Sequence, residues 1–329
     1  MTPGVEKPYD FVPFLPEVKR GRPEGHFRFA HLTGTLELEL VAHRPVQVAS
    51  GFLDVVSDHE GDIVAAQPTW GCGGAYVIPG SSLKGVIRSL VEAISPSCVR
   101  VAGGRSRRAI PQALSPCAKV KDLCPACRLF GMSGRRKENY AGQVQVEDAV
   151  MVSGQIVLVR TPILRAPARS PRGLPERYMA GNEAIGRKFY SHGTMARGTD
   201  ARIAAGSGAV FETRLHFENL REAELGLLLA ALGQHPQYPF LIKVGAGKPV
   251  GMGSLEVRVR WVTLSGDLRR SGRAGRGGER LEGEPLAQAV VKWVETASKS
   301  RLLDLGALER LYGILQQGNL SRPSPEGPY

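Results

Sequence analysis

The stretch Ile78-Pro79-Gly80-Ser81-Ser82-Leu83-Lys84-Gly85-Val86-Ile87-Arg88 opens a helix directly after a Pro-Gly turn. Leu83, Val86, Ile87, Leu90, Val91 and Ile94 recur at helical spacing and make one apolar face. Ser81 or Ser82 can cap its start. A helix start exposes free N–H groups and a partial positive charge, which suits phosphate. Lys84 and Arg88 stand four apart and are expected to share a solvent face that extends this anion site. The same residues also fit an ordinary capped helix with solvated Lys and Arg.

Strands are expected on both sides. Thr33 to Val41 alternates Leu36, Leu38 and Leu40 with Thr35, Glu37 and Glu39, as a half-buried strand does. A polar, glycine-rich loop is expected from Ala42 to Tyr76. Val144, Val146 and Val150 with Ile156 and Leu158 read as two strands, and Val210 to Phe217 as another. Asn219-Leu220-Arg221-Glu222 resembles a capping box before a helix with Leu225, Leu228, Leu229 and Leu232 on one side. Leu241 to Val244 and Ser254 to Val262 are strands. Without its insertions the chain runs β–α–β–β, then strand, helix, strands. The fold class is therefore α+β, close to a βαββαβ ferredoxin-like unit.

Residues 1–31 are expected to form an irregular, proline-rich arm. Three more segments interrupt or extend the core: a cysteine- and arginine-rich insertion at 96–141, a long, basic excursion at 160–207 that is expected to be exposed, and a Gly/Arg-rich linker at 265–284. The division is a main domain over 1–264 and C-terminal helices with a tail over 285–329, with helices at Leu286–Ala297 and Leu302–Leu315.

The chain carries 43 Lys and Arg against 31 Asp and Glu, a net charge of +12 over 329 residues, with a pI near 9.7. That balance points to a polyanionic partner, with an arginine-rich soluble surface as the plainer reading. Aromatic residues make up only 6%, so base stacking on many rings is not the main mode. No apolar run approaches the roughly 18 residues of a membrane span, and Met1 to Asp10 lacks the pattern of a secretory signal. A cytoplasmic protein without a membrane partner is expected.

Gly245-Ala246-Gly247-Lys248-Pro249-Val250-Gly251-Met252-Gly253 is not a P-loop, because Pro249 follows Lys248, nor a dinucleotide fingerprint, because it enters a strand. It reads either as a tight β connection or as a glycine turn that lets backbone approach a phosphate chain, with Lys243 and Lys248 alongside. Cys98, Cys117, Cys124 and Cys127 have spacing that suits a structural zinc, the last two forming half a tetrahedron; buried free thiols are the other reading. Cys72 is the odd one, and His26, His31 and His43 are weaker substitutes. The excursion carries Arg165, Arg169, Arg172, Arg177, Arg187, Lys188, Arg197 and Arg202.

Three motifs in order, the Ile78–Gly85 turn, Cys124-Pro125-Ala126-Cys127-Arg128-Leu129-Phe130-Gly131, and the late glycine loop, resemble the RAMP superfamily over about residues 33–262. Within it the chain resembles the Cas-seven-like backbone subunits of type III CRISPR effector complexes. Gly186 to His192 is similar to a segment of the III-D and III-E branch. The resemblance implies binding of crRNA and target RNA, and contact with other RAMP or Cas subunits. The implied RNA contacts are Ser81, Ser82, Lys84, Arg88, Arg187, Lys188, Lys243, Gly245, Gly247, Lys248 and Gly251. It implies a thumb-like hairpin in the excursion, with Met179, Phe189 and Tyr190 as wedges against bases. It also implies zinc in the cysteine insertion. Cleaving members use a loop aspartate with Mg²⁺ or a similar ion. The corresponding loop here is longer than the family pattern, and Asp62, Asp54 and Asp58 are its candidates. Two alternatives stay open: a nuclease that processes precursor crRNA through His43, His59 or His192, and an architectural subunit that cuts nothing.

Overall fold

The structure is a computed structural model, which describes residues 8–27, 29–57, 61, 63–100, 106–134, 138–164, 178–265 and 278–324. Its central elements are β1 (Leu32–Ala42), β2 (Ala75–Ile78), α1 (Gly80–Ile94), α2 (Pro125–Phe130), β3 (Val144–Val146), β4 (Ala149–Ser153), β5 (Val210–Leu220), α3 (Glu222–Ala231), β6 (Ile242–Lys243), β7 (Ser254–Leu264), α4 (Gly283–Lys299) and α5 (Leu305–Leu315).

The alternation in β1 works as its pattern predicts. Leu36, Leu38 and Leu40 are buried on one face, while Glu37 and Glu39 meet Arg214 and Arg258 on the other. β1 lies at the centre of an antiparallel sheet in the order β6–β7–β1–β5–β4–β2, with Gly71–Cys72 beyond β2 and β3 also paired to β5. Leu38 stands opposite Thr213 of β5 and Val259 of β7. The fold is thus α+β, with α1 and α3 packed on the apolar face. Leu83, Ile87, Leu90 and Val91 of α1 join Phe211, Leu215 and Phe217 of β5 in one core.

α3 departs from the expected one-sided pattern. Residues 224–231 are all buried, because α4 covers the second face. At Gly226 a Cβ would stand 1.9 Å from the Trp293 carbonyl oxygen, so glycine allows the two helices to touch. A helix apolar all round is what such double coverage requires. The C-terminal helices therefore complete the main core, through Trp293, Val294, Leu308 and Leu311. Among the described residues, no helix is long and apolar enough to cross a membrane.

Several expected loops carry structure. Tyr9–Pro13 in the arm pairs with Gly186–Tyr190. Asp54–Ser57 and Ile63–Ala66 form a hairpin within the expected 42–76 loop. Ile156–Thr161 pairs with Asp200–Ala205, and Ala201, Arg202, Ala204 and Ala205 are buried, so the base of the excursion is not exposed. Within the 265–284 segment, Glu279–Glu282 adds a strand to β7 and Gly283 starts α4; residues 266–277 lie outside the described set.

The insertion at 96–141 has no separate interior. Cys98, Leu123, Leu129 and Phe130 belong to the main core.

Neither serine caps α1, whose N-cap is Pro79. The N-cap of α3 is Arg221, whose N–H donates to Glu224 Oε2 at 3.1 Å. Asn219 holds the arm instead: its Oδ1 accepts from the N–H groups of Ala30 and His31. It does so at φ 54°, a left-handed conformation that asparagine tolerates better than most residues.

Candidate nucleic-acid interface and metal centre

The four cysteines converge. Cys98 and Cys117 come from the chain after α1, Cys124 precedes α2, and Cys127 lies within it. All four are free and buried, with their sulfurs within 4.8 Å of one another. Cys98 Sγ lies 3.6 Å from Cys127 Sγ and 3.5 Å from Cys124 Sγ. Disulfide bonding needs about 2.05 Å. A tetrahedron with Zn–S bonds of about 2.3 Å has edges of about 3.8 Å, close to these separations. The set could therefore hold a metal such as zinc. The thiols also share protons: hydrogen bonding from Cys124 and its neighbours drives Cys117 toward the thiolate, while hydrogen bonding with Cys117 drives Cys98 the other way. The Cys124–Gly131 motif fixes its surroundings. Arg128 pairs with buried Glu224 of α3 at 3.2 Å, and the Gly131 carbonyl accepts from Arg88 at 2.9 Å.

The glycine loop folds against two distant segments. Gly253 N–H donates to Pro45 O and Ala246 N–H to Gln47 O, both at 2.8 Å. Gly251 is left-handed at φ 93°, and a Cβ there would stand 2.2 Å from the Thr194 carbonyl oxygen. The closure gathers cations. Lys243 Nζ donates to Met252 O at 2.8 Å and Lys248 Nζ to Gly245 O at 2.6 Å. Arg44 donates to Gly193 O at 2.9 Å and Leu320 O at 2.7 Å. Among the described residues, none of the three has an acidic partner. Burial, then the charges of Lys248 and Arg44, pushes Lys243 down to about 7. The three cations form a cluster tied to backbone carbonyls, with no carboxylate among the described residues to neutralise it, and the cluster would gain by taking an anion. Arg44 is not among the residues expected from sequence; its position beside the loop comes only from the tertiary closure.

The α1 start is occupied differently. Gly80 N–H donates to Asp148 Oδ1 at 2.7 Å, so a protein carboxylate already sits at the helix end. The sequence does not announce Asp148, since it arrives from the turn between β3 and β4. Ser81 is exposed, Ser82 and Lys84 are half-buried, and burial holds Lys84 below its ordinary value. Arg88 does not share their solvent face. Its Nε donates to Glu92 at 2.8 Å and its Nη2 to Cys127 Sγ at 3.4 Å.

The strand Gly186–Tyr190 also turns its cations inward. Arg187 pairs with Glu92. Lys188 Nζ sits 3.9 Å from the Tyr9 ring centre and 4.3 Å from that of Tyr190, and donates to Tyr178 Oη at 3.0 Å. Phe189 packs on the core and Tyr190 is half-buried, so neither projects as a wedge; Met179 lies in the Met179–Ala180 and Glu183–Ala184 hairpin. Arg165, Arg169, Arg172 and Arg177 lie outside the described residues.

Among the candidate aspartates, Asp58 and Asp62 lie outside the described residues, as does His59. Asp54 is exposed, and its Oδ1 accepts from Val55 N–H at 2.9 Å. His192 is fully buried. Its Nδ1 accepts from Ser254 Oγ at 2.8 Å, and Nε2–H points to the carbonyl oxygens of Leu315 and Leu241. Burial pushes it down to about 3, so it stays neutral and sealed from RNA, against the reading of it as acid or base. His43 pairs with Glu256 at 3.0 Å.

A family model described as the RAMP superfamily matches residues 69–256, more than half of the chain, which therefore belongs to that superfamily. The matched region takes in α1, the cysteine set and the glycine loop. No curated protein matches the chain. Membership suggests a CRISPR-associated RNA-binding subunit.

Proposed function

We propose that this RAMP superfamily chain is a crRNA-binding backbone subunit of a type III CRISPR effector complex, with crRNA, target RNA and neighbouring Cas subunits as partners. The observation that carries the reading is the carbonyl-tied cluster of Arg44, Lys243 and Lys248 at the glycine loop, which has no acidic partner among the described residues. Phosphate contacts of this kind fix an RNA strand without reading its sequence. Ser81 and Lys84 at the α1 start offer a second, weaker phosphate contact, because Asp148 occupies the first N–H. Gly245, Gly247 and Gly251 serve by keeping the loop backbone close to the strand.

The sheet order supports a ferredoxin-like core. Taking β1, β4, β5 and β7 as strands one to four, the order is four-one-three-two, with α1 and α3 as the two crossovers. The four-cysteine set takes a structural zinc, which supplies a tetrahedral crosslink when bound. Target cleavage rests on Asp54, Asp58 or Asp62 placing a divalent ion such as Mg²⁺. The function is tested by measuring affinity for a guide-length RNA with wild type and Lys248→Ala: weaker binding by the variant, equal across sequences, supports it, and unchanged binding does not.

A further inference from the structure

A buried charge imbalance lies beside the cysteines. Glu92, with 2% side-chain exposure, is shared by two guanidinium groups, those of Arg88 and Arg187. Two cations against one anion leave a net positive charge in a place where charge needs compensation. The Nη2 group of Arg88 points at Cys127 Sγ, and its Nη1 group holds the carbonyl of Gly131, just beyond α2. Four thiolates around a divalent ion carry two net negative charges. The guanidinium surplus is what such a centre requires and what four neutral thiols would not.

The same carboxylate carries the link onward. Arg187 belongs to the strand Gly186–Tyr190, where it stands opposite Val12 of the Tyr9–Pro13 strand. That strand carries Lys188 in its tyrosine cage and leads into buried Ser191 and His192. The chain of contacts is therefore Cys127, Arg88, Glu92, Arg187, with both guanidinium side chains at most 16% exposed.

We propose that Arg88 is a positioning residue for the metal centre, and that Arg88, Glu92 and Arg187 couple the metal state of that centre to the order of the strand 186–190, the anchor of the basic excursion. The inference rests on the metal reading above. Outer hydrogen-bond partners of metal ligands typically tune affinity by about 10- to 100-fold.

The test uses the full-length, zinc-loaded chain, with hydrogen exchange and zinc transfer to a chromophoric chelator as readouts. Chelation should raise exchange at 186–190 at least about tenfold more than it raises exchange in the β1–β5 ladder around Leu36 and Leu215, which reports the global loss of stability. Arg88→Met should release zinc about tenfold faster and loosen 186–190 even when loaded. Arg187→Met leaves Arg88 and Glu92 paired one to one. It should release zinc faster than wild type but more slowly than Arg88→Met, because the charge surplus is lost while the Arg88–Cys127 contact stays, and chelation should raise exchange at 186–190 no more than in the β1–β5 ladder. A chain purified without chelator that holds no zinc overturns the metal reading and this coupling with it. A chain that holds zinc, yet on chelation shows exchange at 186–190 rising no more than in the β1–β5 ladder, overturns the coupling alone. Wild-type zinc release from Arg88→Met overturns the positioning role.

Discussion

Arg88 Nη2 lies 3.4 Å from Cys127 Sγ, so a residue that the sequence places beside a phosphate site is turned toward a cysteine cluster. The cluster itself is enclosed by the main core. Loss of the centre should therefore not be confined to the insertion.

The first prediction follows from that enclosure. Purified protein should hold about one zinc per chain, and Cys124→Ser should abolish it. Because Cys98, Cys124 and Cys127 are core residues, the substitution should lower global stability by several kcal/mol and not merely open residues 98–141. Elemental analysis and urea unfolding check both parts. Zinc-free protein of unchanged stability would count against a structural metal.

The second concerns pH and Lys243. Folded Lys243 sits at about 7, against an ordinary 10.5. Between those values the unfolded chain binds more protons, so the stability of RNA-free protein should rise with pH across this window. Bound phosphate favours the charged lysine, so RNA affinity should fall as pH rises above about 7. Lys243→Met should flatten both profiles, measured by urea unfolding and RNA titration from about pH 6.5 to 9.5, a span that brackets most of the window. Parallel profiles in variant and wild type would exclude Lys243 from phosphate binding.

The third uses His192, held at about 3 against 6.5. Between these values the unfolded chain again binds more protons, so His192 costs stability progressively as pH falls below about 6.5. His192→Gln should remove that slope and cost about 1–3 kcal/mol near neutral pH through lost buried hydrogen bonds. Denaturant unfolding at about pH 7.5 and about pH 5 measures it. A slope that persists in the variant would place the titration elsewhere.

Much of the sheet and helices can be read from local pattern. β1 alternates because one face is buried and the other carries polar contacts and ion pairs, and α1 keeps its stripe because one side meets the sheet. The cysteine set is legible because ligand chemistry constrains residue type and spacing. The direction of the arginines is not. Whether Arg88 and Arg187 meet solvent depends on Glu92, which is near Arg88 in sequence but distant from Arg187, and on the Tyr9–Pro13 strand, whose proline-rich setting hides its pairing. Asp148 is hidden for the same reason: it caps α1 from 68 positions away. Lys243 and Lys248 are visible in the sequence, whereas Arg44 joins them only when the glycine loop closes on Pro45 and Gln47.

The fourth prediction addresses cleavage. In an assembled complex, Mg²⁺-dependent cutting of a complementary RNA should be lost on alanine substitution of one of Asp54, Asp58 and Asp62, while guide and target binding persist, because only transition-state interactions are removed. Single-turnover assays of the three variants decide it. Wild-type cutting by all three would take the hairpin out of the chemistry.

The role proposed for the cations at the glycine loop is to hold RNA phosphates. It is tested most directly by the salt dependence of RNA affinity for wild type, Arg44→Ala and Lys248→Ala. Each lost phosphate contact should flatten the plot of log affinity against log salt by about 0.7, alike for RNAs of unrelated sequence. An unchanged slope and affinity in both variants, or a change confined to one RNA sequence, would contradict it.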